Sequence, residues 1–239
     1  MTEPDQPVLP RSSAWTDLGL TLPIFIAYHL GVVFLPVRNA ADVVTQELVA
    51  LAHHDRLAYA ALTVGMGALF VAVLLVLGRG QRLRWQSFVG LLLEGVVYAV
   101  AMRLVASSVV GRLFLGAASE AAALLEDRFT GLVMSLGAGL YEEIAFRVLL
   151  FGVGLKSLRV LLRPKSRLER FSLPVVWALI SALVFSGWHH VGALGDAIDL
   201  RVFVFRTVCA LVFTVIYAAR GFAPAVWTHV VYDVWVLVF

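Results

Sequence analysis

The stretch GLYEEIAFRVLLFG, residues 139–152, decides the fold because it has the apolar pattern of a membrane helix yet contains three charged side chains. These are Glu142, Glu143 and Arg147. An ionised group at the depth of the hydrocarbon core is costly unless it is paired or solvated. The stretch therefore predicts a membrane-embedded helix whose charges either lock helix packing or build a buried functional site.

The rest of the chain has the composition of a membrane protein. Its 239 residues are 61% hydrophobic and the mean hydropathy is +0.90, whereas about half of the residues are apolar in soluble domains. The formal net charge is only +3, and no basic patch interleaves with aromatic residues, so we expect no nucleic acid partner. The single cysteine, Cys209, excludes an intrachain disulfide and a cysteine-rich metal site.

The apolar segments predict an all-α, polytopic helical membrane protein with about seven transmembrane helices. A helix needs about 20 apolar residues to cross the hydrocarbon core. No internal repeat or long linker divides the chain, so we expect a single membrane domain. The seven predicted spans are 18–37, 57–78, 88–110, 129–154, 171–190, 201–219 and 222–239.

Basic residues predict the orientation of these spans. Two loops, 79–87 and 155–170, are rich in arginine and lysine. If both face the cytoplasm, the spans alternate without conflict and most of the 19 basic residues lie on the inner side. The positive-inside rule then predicts a cytoplasmic N-terminus and an external C-terminus.

The fourth span combines a charge pair with a second carboxylate. Glu143 and Arg147 are four positions apart, so they share a helix face and can pair. Glu142 is rotated by about 100° from its neighbour, which leaves it free to act as a general base for water. Gly137 and Gly139 lie just before it and predict either close helix packing or a path for water.

Two later spans each carry a pair at one-turn spacing. Phe185 and His189 share a face of the fifth span, so the phenyl ring would limit water and orient the imidazole. On the last span, His229 and Asp233 are also four residues apart. A carboxylate on one ring nitrogen would fix the tautomer and leave the other nitrogen to face a water, a metal or a substrate oxygen. If these faces meet the fourth span, they form one site.

The three motifs, in this order on the fourth, fifth and last predicted spans, resemble the CAAX-protease and bacteriocin-processing (Abi, CPBP) family of intramembrane proteases, whose signature is EExxxR, FxxxH and HxxxN or HxxxD. The resemblance covers residues 129–239. It divides the chain into N-terminal membrane helices, residues 1–128, with three spans and an amphipathic segment at 111–129, and a CPBP/Abi-like catalytic four-helix core, residues 129–239.

The resemblance implies an intramembrane CAAX-type endopeptidase that cleaves a membrane-associated protein or peptide tail within the lipid bilayer. It also implies a multi-pass protein of a bacterial inner (plasma) membrane. Glutamate- and histidine-activated water would attack the peptide bond, with a metal as an open possibility. The implied catalytic residues are Glu142, Glu143, Arg147, His189, His229 and Asp233.

Within that scheme, Glu142 activates the water with help from His189. Asp233 stands where the prenyl-protein endoproteases have asparagine, and an ionised aspartate cannot donate a hydrogen bond to an oxyanion. This departure favours Asp233 as a metal ligand or as the residue that orients His229. His and carboxylate ligands suit Zn²⁺, which would make the protein a metalloprotease. The expected zinc ligands are Glu142, His189, His229 and Asp233.

Two functions without proteolysis compete with this interpretation. A non-catalytic membrane scaffold or immunity protein could keep the same fold. A proton-coupled transporter could use the same mid-membrane carboxylates and histidines. The other intramembrane polar residues are expected to be structural, and Glu94 to pair with an arginine of a neighbouring span. These residues are His29, Glu94, Arg103 and Arg206.

Overall fold

The computed structural model describes residues 13–35, 39–53, 55–77, 85–114, 128–191 and 195–239. Throughout these ranges the regular structure is helical, with no strand, which confirms the all-α prediction. The elements are α1 Ala14–Phe34, α2 Val43–Leu51, α3 Arg56–Leu77, α4 Trp85–Leu113, α5 Arg128–Gly137, the π-helical segment π1 Ala138–Val153, α6 Gly154–Leu162, α7 Arg167–Trp188, α8 Leu200–Arg220 and α9 Phe222–Leu237.

Several of these helices can cross a membrane by length and composition. Within the described ranges five satisfy both criteria, and they correspond to the first, second, third, fifth and sixth predicted spans. The protein is therefore an integral, multi-pass membrane protein. The five segments are Ala14–Phe34, Arg56–Val76, Trp85–Leu113, Arg167–Trp188 and Leu200–Arg220.

The count of about seven transmembrane helices stays a prediction. The fourth predicted span lies within α5, π1 and α6, which follow one another without a break but differ in winding. The seventh corresponds to α9, which has 16 residues. Most of the predicted amphipathic segment at 111–129 lies outside the described residues.

Helix α9 lies at the centre of the packing. Ala223, Ala225 and Val226 are fully buried in it. Its Val226 and Val230 join a hydrophobic cluster with residues of α1, α5 and π1, among them Ile24, Val133 and Leu140. The N-terminal helices and the predicted catalytic core thus share one hydrophobic core.

The turn between α8 and α9 fixes where α9 begins. Gly221 adopts φ +109°, a left-handed conformation that strongly favours glycine. A Cβ at this position would also collide with the carboxylate of Asp17, which accepts a 2.7 Å hydrogen bond from the backbone N–H of Phe222. The start of α1 therefore caps the start of α9 and sets the depth of the residues that follow.

Helices α1, α4 and α9 begin on the same side of the molecule. The indole N–H of Trp227 donates to the carbonyl of Leu20, 3.0 Å away, near the start of α1. Gly95 packs against Trp227, and Arg103 lies 4.7 Å from the ring centroid of Trp235. Gly95 and Arg103 are eight residues apart on α4, and their partners Trp227 and Trp235 are eight residues apart in the same direction on α9. The two helices therefore run parallel. This agrees with the predicted alternation, while the cytoplasmic assignment of that side stays a prediction.

Candidate active site

Three helical elements bring four of the predicted site residues together. Oε2 of Glu142, on π1, lies 3.6 Å from Nε2 of His189 at the end of α7 and 3.9 Å from Nε2 of His229 on α9. Oδ2 of Asp233 lies 3.4 Å from the same Nε2 of His229. The side chains that the sequence places on three separate spans thus form one cluster, in which Glu142 and His229 are buried and His189 and Asp233 are partly exposed.

The π-helical winding of π1 directs both glutamates to this cluster. In a π-helix the i→i+5 hydrogen bonds widen the turn, so successive side chains are separated by a smaller angle than in an α-helix. His229 contacts both carboxylates: Nδ1 lies 2.8 Å from Oε1 of Glu143, and Nε2 faces Glu142. The sequence, read as an α-helix, predicted that Glu142 points away from its neighbour; instead both reach one imidazole.

Arg147 is buried beside Glu143 and forms the predicted pair. Its Nη1 lies 3.1 Å from Oε1 of Glu143, and both side chains are fully buried. The guanidinium carbon also lies 4.3 Å and 4.9 Å from the ring centroids of Phe185 and Phe213. The charge is thus compensated by a carboxylate and by two aromatic faces, which ties π1 to α7 and α8.

Hydrogen bonds at Nδ1 fix the tautomers of both histidines. Nδ1 of His189 lies 2.8 Å from the carbonyl oxygen of Phe185, and a carbonyl can only accept, so this nitrogen carries the hydrogen. Nδ1 of His229 donates in the same way to Glu143. A neutral ring therefore presents the lone pair of Nε2 to Glu142 in both cases.

The residue that orients His229 differs from the one expected. The sequence predicted that Asp233 could fix the tautomer, but Glu143 holds Nδ1 and Asp233 lies on the Nε2 side instead. Phe185 does pack against His189, with ring centroids 4.8 Å apart, as the one-turn spacing predicted. Asp233 therefore faces the same space as Glu142.

Only one oxygen of Glu142 is free. Its Oε1 accepts a 2.9 Å hydrogen bond from Nδ2 of Asn39, whereas its Oε2 is buried without a hydrogen-bond partner. Asn39 was not identified from the sequence. It lies just before α2, outside the predicted spans and motifs, and nothing in its neighbourhood points to residues more than 100 positions away.

The two glycines before Glu142 serve helix packing. A Cβ at Gly137 would collide with the ring of Tyr28, and a Cβ at Gly139 would collide with Val230. The space beside both glycines is thus filled by side chains of α1 and α9. These contacts agree with the expectation of close helix packing.

The other intramembrane polar side chains have partners away from the cluster. Glu94 forms the expected pair with an arginine of another helix, Arg220, at 2.7 Å. His29 lies 2.7 Å from the hydroxyl of Tyr141, and Arg206 lies 2.6 Å from Asp196. Arg103 stacks on a tryptophan. These contacts agree with structural roles for the four residues.

The chemistry of the donor atoms suits a zinc ion better than their arrangement does. Two imidazole nitrogens and two carboxylates are ligands that Zn²⁺ prefers, and Oε2 of Glu142 is an orphaned buried acceptor among them. However, among the residues described, no group of three or more His, Cys, Asp or Glu side chains is placed so that it could hold a metal ion. Zinc binding stays a prediction.

The fold and the cluster define a polytopic helical membrane protein with a partly buried glutamate–histidine–aspartate site. Residues 124–235 match the family model described as Type II CAAX prenyl endopeptidase Rce1-like. The match confirms the resemblance drawn from the three motifs. The match contains all six predicted site residues, and residues 1–123, including Asn39, lie outside it. No curated protein and no solved structure matches the chain.

Proposed function

We propose that the protein is an intramembrane endopeptidase in which Glu142 and His189 activate a water molecule for attack on a peptide carbonyl. One observation carries the proposal: the free oxygen of Glu142 is buried and faces Nε2 of both histidines. The family match adds independent support, because its members are described as endopeptidases.

The separation of these atoms suits a shared water. The distance of 3.6 Å between Glu142 and His189 exceeds that of a direct hydrogen bond. A water between them can donate one hydrogen to the carboxylate and the other to the lone pair of Nε2. Glu142 then takes a proton as the water oxygen attacks the carbonyl carbon, and the same proton can pass to the leaving amine.

His229 is placed to stabilise the negative charge that develops on the carbonyl oxygen. Glu143 holds its Nδ1, so the ring is oriented before substrate arrives. When Nε2 also carries a proton, the imidazolium can donate it as a hydrogen bond to the oxyanion. Asp233, 3.4 Å from this Nε2, would stabilise that charged ring. This gives the aspartate a role that does not require it to donate a hydrogen bond.

A bound zinc ion would be held by the lone-pair donors of the same cluster and would supply Lewis-acid polarisation of the carbonyl and a more acidic water. Its ligands would come from Glu142, His189, His229 and Asp233. The roles of Glu143 and Arg147 are the same with or without the ion, because Glu143, paired with Arg147, holds Nδ1 of His229 in place.

The proposed substrate is a membrane-anchored protein or peptide tail. The site lies where π1 and α9 pack against helices that are long and apolar enough to cross the bilayer, and the matching family is described as a CAAX prenyl endopeptidase. A tail with a prenylated cysteine near its C-terminus would be held in the lipid by its anchor. A peptide attached to a transmembrane helix offers the same geometry without the prenyl group.

The test uses purified full-length protein in proteoliposomes. Two quenched fluorescent probes are supplied, an S-farnesylated Cys-a-a-X peptide and a peptide that carries a transmembrane helix, and products are identified by mass spectrometry. Wild type should cleave at least one probe, and Glu142→Gln should not. Cleavage of neither probe, or equal cleavage by both proteins, would overturn the proposal.

The same proteoliposomes separate the two alternative functions. A scaffold or immunity protein would leave both probes intact in wild type and in Glu142→Gln. A proton-coupled transporter would instead acidify or alkalinise the vesicle interior when its solute is added, and a pH-sensitive dye inside the vesicles would report this. An endopeptidase changes the probe and leaves the interior pH constant.

A further inference from the structure

We infer that Asn39, which lies outside the segment that matches the family, is a positioning residue that sets the orientation of the Glu142 carboxylate. The inference rests on the proposed function, because it assigns Glu142 as the base. Its starting point is the 2.9 Å hydrogen bond from Nδ2 of Asn39 to Oε1 of Glu142. Both side chains are buried, so water does not compete for this contact.

The orientation of the Asn39 amide is determined by its second contact. Its Oδ1 accepts a 2.8 Å hydrogen bond from the backbone N–H of Ala41. A flipped amide would turn Nδ2 towards that N–H and Oδ1 towards the carboxylate, which places like groups together at both ends. The amide therefore presents a donor, and only a donor, to Glu142.

A buried network holds Asn39 itself in place. Its backbone N–H donates to the hydroxyl of Tyr28 at 3.3 Å, and this hydroxyl donates to Oδ2 of Asp42 at 2.7 Å. Oδ1 of Asp42 in turn accepts from the backbone N–H of Thr45 at the start of α2, 2.8 Å away. Tyr28 and Asp42 are both buried, so the segment before α2 is tied to α1 as well as to π1.

The two carboxylate oxygens of Glu142 therefore have different contacts. Oε1 is occupied by Asn39, and Oε2 is left to face the two histidines. Without the amide donor, the carboxylate is free to rotate about its terminal torsion and to present either oxygen. A small misplacement of a reacting group is enough to lower turnover strongly.

Asn39→Asp is the most informative variant, because it changes the donor and preserves the shape. The new carboxylate can still accept from the N–H of Ala41, but it places an acceptor against Glu142. Gln46→Glu makes the same chemical change, amide to carboxylate, at an exposed position of α2 and is the matched control. Asn39→Ala removes both side-chain contacts, so it also shows the effect of losing the hydrogen bond from the N–H of Ala41.

Two readouts separate positioning from folding. On a probe that wild type cleaves, Asn39→Asp should lower kcat by about 10- to 100-fold with KM unchanged, since Asn39 contacts the base and not the substrate. Gln46→Glu should keep the wild-type values. A kcat for Asn39→Asp equal to that of the control, or a loss confined to KM, would overturn the inference.

The second readout is independent of activity. Asn39→Asp should lower the thermal midpoint of unfolding in detergent when Glu142 is present, because two carboxylates then face each other. In the Glu142→Gln background, Asn39→Asp should lower the thermal midpoint by less, since the glutamine amide can donate a hydrogen bond to the new carboxylate. An equal loss in both backgrounds would contradict the contact. Full activity of Glu142→Gln would instead defeat the proposed function and leave this stability result unaffected.

Discussion

Nδ1 of His229 donates a 2.8 Å hydrogen bond to Oε1 of Glu143, a residue 86 positions earlier in the chain. The same carboxylate oxygen lies 3.1 Å from Nη1 of Arg147. The pair on π1, which the sequence explains by itself as a local charge pair, is thus also the support for a histidine on α9. Removing either member should affect both stability and the site.

Glu143→Gln should lower the free energy of unfolding by about 3–5 kcal/mol, because it leaves the buried Arg147 without its counter-charge. The measurement is denaturant unfolding in detergent micelles, with the exposed Glu47→Gln as the matched control, expected to change stability by at most about 0.5 kcal/mol. The double variant Glu143→Gln/Arg147→Met should recover part of the loss. If Glu143→Gln were as stable as the control, the Glu143–Arg147 pair would not contribute to the free energy of unfolding.

His189→Ala should abolish probe cleavage, whereas His190→Ala should leave it unchanged. The two histidines are adjacent, but only His189 faces Glu142, while His190 contacts the backbone of Asp196 at the surface. Loss of a group that assists proton transfer costs about 10²- to 10⁴-fold in rate. Initial rates at equal protein concentration provide the comparison. Equal loss in both variants would assign the effect to the end of α7 rather than to the imidazole.

Gly139→Ala should destabilise the protein by about 1–3 kcal/mol, because the added methyl group collides with Val230 in a packed interface. Gly65→Ala on α3 is the control, since no atom outside its own helix lies within 4 Å of the added Cβ. That change should be neutral or should stabilise the helix by up to about 1 kcal/mol. Thermal unfolding in detergent measures both, and equal effects would refute the close contact of π1 with α9.

The sequence predicts contacts within one helix of the site better than contacts between helices. Glu143 with Arg147 was predictable because helical spacing alone brings residues four apart together. The contact between His189 and Glu142 could not be predicted from helical spacing, because the two residues lie on different helices. It was predicted from the family signature. The bond between Glu143 and His229 could not be predicted, because it depends on the π-helical winding and on the packing of α9.

Asn39 shows the other limit of sequence reasoning. It lies in a connection before α2, where no hydrophobic period and no motif marks it. Its contact with Glu142 depends entirely on how α1 and π1 pack. The number of transmembrane helices stays a prediction, because the fourth span changes its winding at Gly137 and Gly154 and α9 is short.

Metal content distinguishes the two forms of the proposed mechanism. If zinc takes part, purified wild type should contain it in near-stoichiometric amount by inductively coupled plasma mass spectrometry. His229→Ala should lose it, since that variant removes one of the lone pairs that face Glu142. His190→Ala should retain it. Metal-free protein that still cleaves a probe would remove zinc from the mechanism and leave the Glu142–His189 base intact.

The central claim is that Glu142 and His189 act on one water, and a double-mutant cycle on kcat/KM tests it most directly. Glu142→Asp, His189→Gln and the double variant are compared with wild type on the same probe. If both groups serve one step, each single change should cost nearly as much as the pair, so the double variant should be little worse than either single one. If instead the two losses multiply, the residues act independently, and that result would contradict a water shared by Glu142 and His189.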